Sequence, residues 1–141
     1  MLEPEIVMEQ GPHTIPALGT KRELLVIEDN KTVRECLSRS LVPLGYKVTL
    51  ARNVYNGGLL FYTRHYDLVI IDLQVPQLNV WKLARIFKEH SPSTPVIVTT
   101  GFNKGEPLTK ADKDKVDAII PKPFKLKEID TTVQRLLNSR T

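Results

Sequence analysis

Short runs of apolar residues alternate along the chain with longer segments whose apolar residues recur at every third or fourth position. A short apolar run is typical of a strand buried on both faces, and the longer period is typical of a helix with one buried face. The pattern predicts five strands, at residues 23–29, 46–51, 67–73, 94–100 and 116–123. It predicts helical segments at residues 30–45, 53–65, 79–90, 103–115 and 125–140, of which the polar, lysine-rich segment 103–115 is the least stable.

Single residues refine the predicted helices. Asn30 is a suitable N-cap for the first helix and Gly45 a suitable stop, because asparagine accepts backbone N–H groups and glycine adopts the left-handed conformation. Cys36 lies inside that helix, and we expect it to be a buried small hydrophobe rather than a nucleophile. Gly57 and Gly58 weaken the second helix. The last helix is expected to turn five apolar residues inward: Leu126, Ile129, Val133, Leu136 and Leu137.

A strand followed by a helix, repeated five times, predicts right-handed crossovers and an α/β fold. The expected architecture is a doubly wound, five-stranded parallel sheet with helices on both faces. The chain of 141 residues has the length of one domain. In such sheets, ligands bind beyond the carboxyl ends of the strands, so polar residues at those ends are the candidates for function.

Charge separates the first 20 residues from the remainder. Residues 1–20 contain Glu3, Glu5 and Glu9 but no Lys or Arg, and they hold three of the ten prolines. They show no helical or strand period, so we expect a flexible N-terminal tail at 1–20 and a folded domain at 21–141. No apolar run approaches the roughly 18 residues needed to span a bilayer, and one cysteine cannot form an internal disulfide. A cytoplasmic protein without membrane contact is expected.

Polar residues stand at the ends of four predicted strands: Glu28-Asp29, Asp72, Thr99-Thr100 and Lys122. In a parallel sheet these ends share one edge, so three carboxylates, a hydroxyl and an ammonium are expected to meet there. Three neighbouring carboxylates repel one another unless a cation relieves the repulsion. Their oxygen ligands suit Mg²⁺, and a carboxylate on a rigid strand end can attack phosphorus. The sequence therefore predicts phosphorylation of Asp72.

The segments "IED", "VIIDLQVP", "VIVTTG" and "PKPF", in that order, resemble the receiver domain of two-component response regulators. The resemblance covers about residues 22–140 and implies a flavodoxin-like fold with strand order 2-1-3-4-5. It implies that Asp72 accepts a phosphoryl group from a sensor histidine kinase or a histidine phosphotransfer protein. The chain would then be a signalling switch and not an enzyme, apart from self-phosphorylation by a phosphodonor and slow autodephosphorylation.

The resemblance also implies roles for the other residues at the strand ends. Asp29, Asp72 and the backbone carbonyl of Gln74 would bind Mg²⁺, and Glu28 would bind it directly or through water. The Thr100 hydroxyl would turn toward the phosphoryl group. Lys122 would pair with that group, and the bond between Lys122 and Pro123 is a candidate cis peptide.

Three positions depart from the family pattern. Asn79-Val80 replaces the usual Asp-Gly pair, and Ile119 stands where an aromatic switch residue is usual. An isoleucine has no phenol, so the usual coupling between threonine and aromatic ring is in question. Gln74 and Phe102 occupy positions that tune the lifetime of the aspartyl phosphate, and a bulky Phe102 is expected to lengthen it.

Two other functions compete with the switch. One is a degenerate receiver that acts as a constitutive interaction module. The other is an enzyme: an aspartate-based, Mg²⁺-dependent phosphohydrolase or a nucleotide-binding flavodoxin-like protein. The hydrolase is disfavoured because Gln74 replaces a second acid, and nucleotide binding is disfavoured because no glycine-rich loop follows a strand.

The downstream partner is expected to be a protein. A lysine cluster in and after segment 103–115 is best explained as a solvated face, although an acidic partner or the acidic tail would also fit it. The cluster comprises Lys104, Lys110, Lys113, Lys115, Lys125 and Lys127. Nucleic acid binding is disfavoured, because the chain has no recognition motif. The three histidines, His13, His65 and His90, lack metal-binding spacing and are expected at the surface.

Overall fold

The computed structural model describes residues 21–72, 80–101 and 116–139. The strands are β1 (Glu23–Ile27), β2 (Lys47–Ala51), β3 (Leu68–Asp72), β4 (Val96–Gly101) and β5 (Ala118–Lys122). The helices are α1 (Lys31–Leu41), α2 (Val54–Thr63), α3 (Val80–His90) and α4 (Leu126–Asn138), and a 3₁₀ turn (Val42–Leu44) follows α1. The tail expected at residues 1–20 and the helix predicted at 103–115 lie outside the described residues.

All five strands pair in parallel, in the order β2-β1-β3-β4-β5. This confirms the predicted sheet and its 2-1-3-4-5 order. Alternate residues of β1 point to opposite faces: Leu25 and Ile27 pack in one hydrophobic cluster with α2 and α3, and Leu24 and Val26 in a second cluster with α1 and α4. Burial of β1 and β3 on both faces explains why their sequences are apolar without interruption.

The predicted signals at the ends of α1 are confirmed. The side chain of Asn30 accepts a hydrogen bond from the backbone N–H of Val33 at 3.0 Å. Gly45 has a φ of 102°, a left-handed conformation that glycine adopts without a steric penalty. The chain therefore turns sharply after the 3₁₀ segment and enters β2.

Two expectations about burial are wrong. Cys36 is exposed, because it lies about 100° around α1 from the buried Leu37. Leu126 is 40% exposed because it opens the first turn of α4, whereas Ile129 and the three apolar residues after it are buried as expected. His65 and His90 are exposed, as predicted. Within the described ranges, no helix combines the length and the apolar character required to cross a bilayer.

Candidate functional site

Three acidic residues meet at the carboxyl ends of β1 and β3. Ile27 pairs with Ile71, so Glu28 and Asp29, which follow β1, lie beside Asp72 at the end of β3. Each of the three offers a carboxylate oxygen within 4.8 Å of the other two. Glu28 and Asp72 are each 2% exposed, whereas Asp29 is open to solvent. The structure therefore brings together the three acids that the sequence placed at strand ends.

Lys122 joins this acidic cluster from β5, two strands away from Asp72. Its Nζ donates to Oδ2 of Asp72 at 2.8 Å and to Oε1 of Glu28 at 3.4 Å. One ammonium group thus contacts both buried carboxylates. Its positive charge offsets part of the desolvation free energy of burying negative charge.

The loop between β1 and α1 is held by α1 itself. The guanidinium of Arg34 donates from Nη1 to the carbonyl oxygens of Glu28, at 2.9 Å, and Asp29, at 3.1 Å. The backbone N–H of Asn30 donates to Oε2 of Glu28 at 3.3 Å. Sequence reasoning missed Arg34, and the only signal for it was a long donor in the first turn of a helix that follows an acidic pair. These bonds fix the direction in which Glu28 and Asp29 leave β1.

Burial and repulsion change the acidity of the cluster. Burial, together with the hydrogen bond and negative charge of Asp72, raises the pKa of Glu28 to about 8, while Lys122 and the N–H of Asn30 oppose the rise. Burial alone would lower the pKa of Lys122. The hydrogen bond and charge of Asp72 and the charge of Glu28 outweigh burial, so that pKa is raised. The lysine stays protonated at neutral pH. Glu28 also retains its proton, which a divalent cation bound at the cluster would displace.

Thr100 lies at the same edge of the sheet, between the strands that carry Asp72 and Lys122. In β4, its neighbour Thr99 pairs with Asp72 and its neighbour Gly101 pairs with Lys122. The side chain of Thr100 is buried. The register places Thr100 at the edge of the sheet that carries the acidic cluster, and the role of its hydroxyl stays a prediction.

The remaining predicted positions have mixed outcomes. The peptide bond between Lys122 and Pro123 is cis, as expected. Val80 begins α3 and is buried, and Ile119 is partly buried in β5 beside Val98. Gln74, Asn79 and Phe102, and four of the six lysines of the predicted cluster, lie outside the described residues.

The chemistry of the cluster fits a magnesium ion. Carboxylate oxygens are hard ligands, and Mg²⁺ is usually held by one or two of them together with waters and phosphate oxygens. Glu28, Asp29 and Asp72 supply three such groups within reach of one ion. The exposed side of Asp29 leaves the cluster accessible from solvent.

Comparison with known proteins identifies the family. The sequence model of the response regulator receiver domain family matches residues 24–134. The chain is 33% identical over 115 residues to the transcriptional regulatory protein CusR of Escherichia coli strain K12, covering 82% of this chain and 51% of CusR. It thus spans about half the length of this curated relative.

Solved receiver structures share the fold. A response regulator receiver domain from Clostridium thermocellum superimposes with a TM-score of 0.77 at 24% identity, covering 84% of this chain and 96% of that one. The receiver domain of the Francisella response regulator 1452 gives a TM-score of 0.77 at 25% identity, covering 86% of this chain and all of that one. Receiver domains bind Mg²⁺ at an acidic pocket and interact with histidine kinases and downstream targets. The chain belongs to the response regulator receiver domain family, whose members are signalling modules of two-component systems rather than classical enzymes.

Proposed function

We propose that Asp72 accepts a phosphoryl group from the phosphohistidine of a sensor histidine kinase or a histidine phosphotransfer protein, and that the chain is a phosphorylation-dependent switch. One observation carries the proposal: the buried Asp72 carboxylate lies 2.8 Å from the Lys122 ammonium, with the carboxylates of Glu28 and Asp29 beside it. A strand end, a cation and two further acids form a site for phosphoryl transfer rather than a structural ion pair.

The reaction is a displacement at phosphorus. A carboxylate oxygen of Asp72 forms the new bond to phosphorus, and the phosphorus–nitrogen bond to the donor imidazole breaks with its electron pair going to nitrogen. Because Asp72 ends a strand that is buried on both faces, its carboxylate is held in place before the donor arrives. Such positioning removes part of the entropic cost of the encounter.

Glu28, Asp29, Asp72 and the backbone carbonyl of Gln74 would hold Mg²⁺. When bound, the ion would supply positive charge to the site where the phosphoryl group is received. Glu28 must lose its proton to contribute a full charge, and its Oε2 is oriented by the N–H of Asn30. Arg34 holds the carbonyls of the acidic pair, so the loop is already arranged for a cation.

Lys122 and Thr100 would act on the phosphoryl group itself. The Lys122 ammonium, already shared between Asp72 and Glu28, would shift toward a phosphoryl oxygen once the acyl phosphate forms. The Thr100 hydroxyl would donate to another phosphoryl oxygen. Both contacts stabilise negative charge at the end of the sheet, where protein partners can sense the change.

The test is incubation with a small phosphodonor and Mg²⁺, followed by intact mass spectrometry. We expect an adduct of one phosphoryl group that is absent in Asp72→Asn and retained in Glu35→Gln, an acid on α1 outside the cluster. Absence of the adduct in the wild type would support a constitutive interaction module instead. Sustained hydrolysis of a phosphoester by the wild type would support a phosphohydrolase.

A further inference from the structure

Three large apolar side chains lie exposed on the outer side of α2. Tyr55 is 68% exposed, Leu59 65% and Tyr62 49%. Spacings of four and three residues place them on one face of the helix, which we call the α2 face. The opposite side of the same helix buries Val54 and Phe61. The α2 face is therefore a second apolar stripe that the core does not use.

Positive charge borders the α2 face at both ends. Arg52 precedes the helix, Arg64 follows it, and both are exposed. No Asp or Glu occurs between residues 47 and 66. The nearby Glu89 of α3 is paired with Arg85 at 3.8 Å. An apolar stripe between two cations is complementary to an apolar segment between two anions, whereas a second α2 face would bring like charges together.

Such a segment occurs in this chain. In "EIVME", residues 5–9, three apolar residues lie between Glu5 and Glu9, and residues 1–20 contain no Lys or Arg. Extended, the segment from Glu5 to Glu9 spans about 13 Å. The helical distance from Arg52 to Arg64 is about 18 Å, and the long side chains of arginine and glutamate cover the difference.

The point of attachment favours binding within one chain. The carbonyl of Arg22 accepts from the N–H of Lys47 at 2.9 Å, and the carbonyl of Glu23 accepts from the N–H of Asp67 at 2.7 Å. The chain therefore enters β1 at the edge of the sheet where α2 ends and β3 begins. The eleven residues between Glu9 and Lys21 can span about 40 Å when extended, far more than the length of α2, about 15 Å.

We infer that residues 5–9 dock on the α2 face of the same molecule. Ile6, Val7 and Met8 cover Tyr55, Leu59 and Tyr62, while Glu9 approaches Arg64 and Glu5 approaches Arg52. In this arrangement Glu9 lies at the end of α2 nearer to Lys21, and Glu5 lies at the far end. The inference does not depend on phosphorylation of Asp72.

A spin label at the start of the chain tests the docking. The variant carries Leu2→Cys for the nitroxide and Cys36→Ser to remove the exposed native thiol. The ¹⁵N-labelled protein is diluted with unlabelled, unmodified protein, so that only effects within one molecule remain. We expect the largest loss of amide signal at the N-terminal end of α2, near Tyr55, which is the end farther from Lys21. A merely tethered segment would instead affect residues nearest to Lys21 most.

Charge variants separate docking from chance proximity. Glu5→Lys with Glu9→Lys should restore the lost α2 signals, and adding Arg52→Glu with Arg64→Glu should remove them again. Lys125→Glu, an exposed cation on the opposite side of the sheet, is the control and should leave the pattern unchanged. Signal loss centred on Lys125 and Lys127, loss that appears only between molecules, or insensitivity to the charge variants would each overturn the inference.

Discussion

Nζ of Lys122, on β5, lies 2.8 Å from Oδ2 of Asp72, on β3, although another strand separates the two in the sheet. The same nitrogen is 3.4 Å from Oε1 of Glu28. A single lysine thus connects three of the five strands at their carboxyl ends. It stabilises two buried carboxylates and at the same time stands where a phosphoryl group would be received.

Replacing that lysine should weaken both stability and phosphorylation. In Lys122→Met, without Mg²⁺, we expect the free energy of unfolding at pH 7 to fall by about 2 kcal/mol, since the buried carboxylate of Asp72 and the buried carboxyl group of Glu28 lose their hydrogen-bond donor. Phosphorylation by a small donor should slow by about a hundredfold, the scale expected when one charge-stabilising group is removed. Urea denaturation and intact mass measure the two effects. Lys125→Met, an exposed lysine three residues later, should change neither; equal effects in the two variants would contradict the assigned contact.

Glu28 should make the stability of the metal-free protein depend on pH. Its pKa is about 8 in the folded chain against 4.5 for an ordinary glutamate, so the folded state binds the proton more tightly. The resulting stabilisation is complete below pH 4.5 and is lost as the pH rises through 8. Relative to Glu28→Gln, the wild type should therefore lose a few kcal/mol of unfolding free energy between about pH 5 and pH 9.

Saturating Mg²⁺ provides the internal comparison for this pH series. Because the ion favours the ionised carboxylate, it should remove or reverse the loss in the wild type, and it should stabilise Glu28→Gln less. A wild-type and Glu28→Gln difference that stays constant with pH would show that the Glu28 carboxyl titrates at its ordinary value.

Arg34 should matter for magnesium more than for the fold. Without its bonds to the carbonyls of Glu28 and Asp29, the acidic loop is less ordered before the ion binds. We expect Arg34→Met to weaken Mg²⁺ binding by about fivefold, roughly 1 kcal/mol, the usual value of such hydrogen bonds. The matched control is Arg39→Met, which removes only a surface contact of 3.6 Å with Glu35. Titration calorimetry with MgCl₂ distinguishes the two, and equal affinities in both variants would exclude a positioning role.

Two adjacent glycines in α2 should respond oppositely to alanine. A methyl group at Gly57 would collide with the buried side chain of Ile27, and overpacking of this kind costs about 1–3 kcal/mol. At Gly58 no atom lies within 4 Å of the added carbon, so Gly58→Ala should stabilise the helix by up to about 1 kcal/mol. Thermal unfolding of the two variants measures the difference. A loss of stability in Gly58→Ala, or none in Gly57→Ala, would contradict the packing described here.

The alternation of apolar runs and helical periods determined the five strands, four helices and parallel sheet of the described residues. It succeeded because a strand buried on both faces must be apolar throughout, and β1 and β3 are buried on both faces. The candidate site could be predicted from the same pattern, because parallel strands place their carboxyl ends at one edge of the sheet. Glu28, Asp72 and Lys122 stand out in the sequence because each polar residue interrupts or ends an apolar run.

Tertiary contacts distinguish residues that look alike in the local sequence. Gly57 and Gly58 are the same residue in one helix, but only Gly57 faces Ile27, so packing alone separates their roles. Cys36 and Leu126 are apolar residues in helices, yet neither is buried: rotation around the axis of α1 turns Cys36 to solvent, and Leu126 is exposed because it opens the first turn of α4. Arg34 is an ordinary helical arginine until the fold brings the carbonyls of Glu28 and Asp29 within reach of its guanidinium. Sequence periodicity determined which segments form the sheet and its carboxyl edge, and the packing between segments decided which individual side chains meet there.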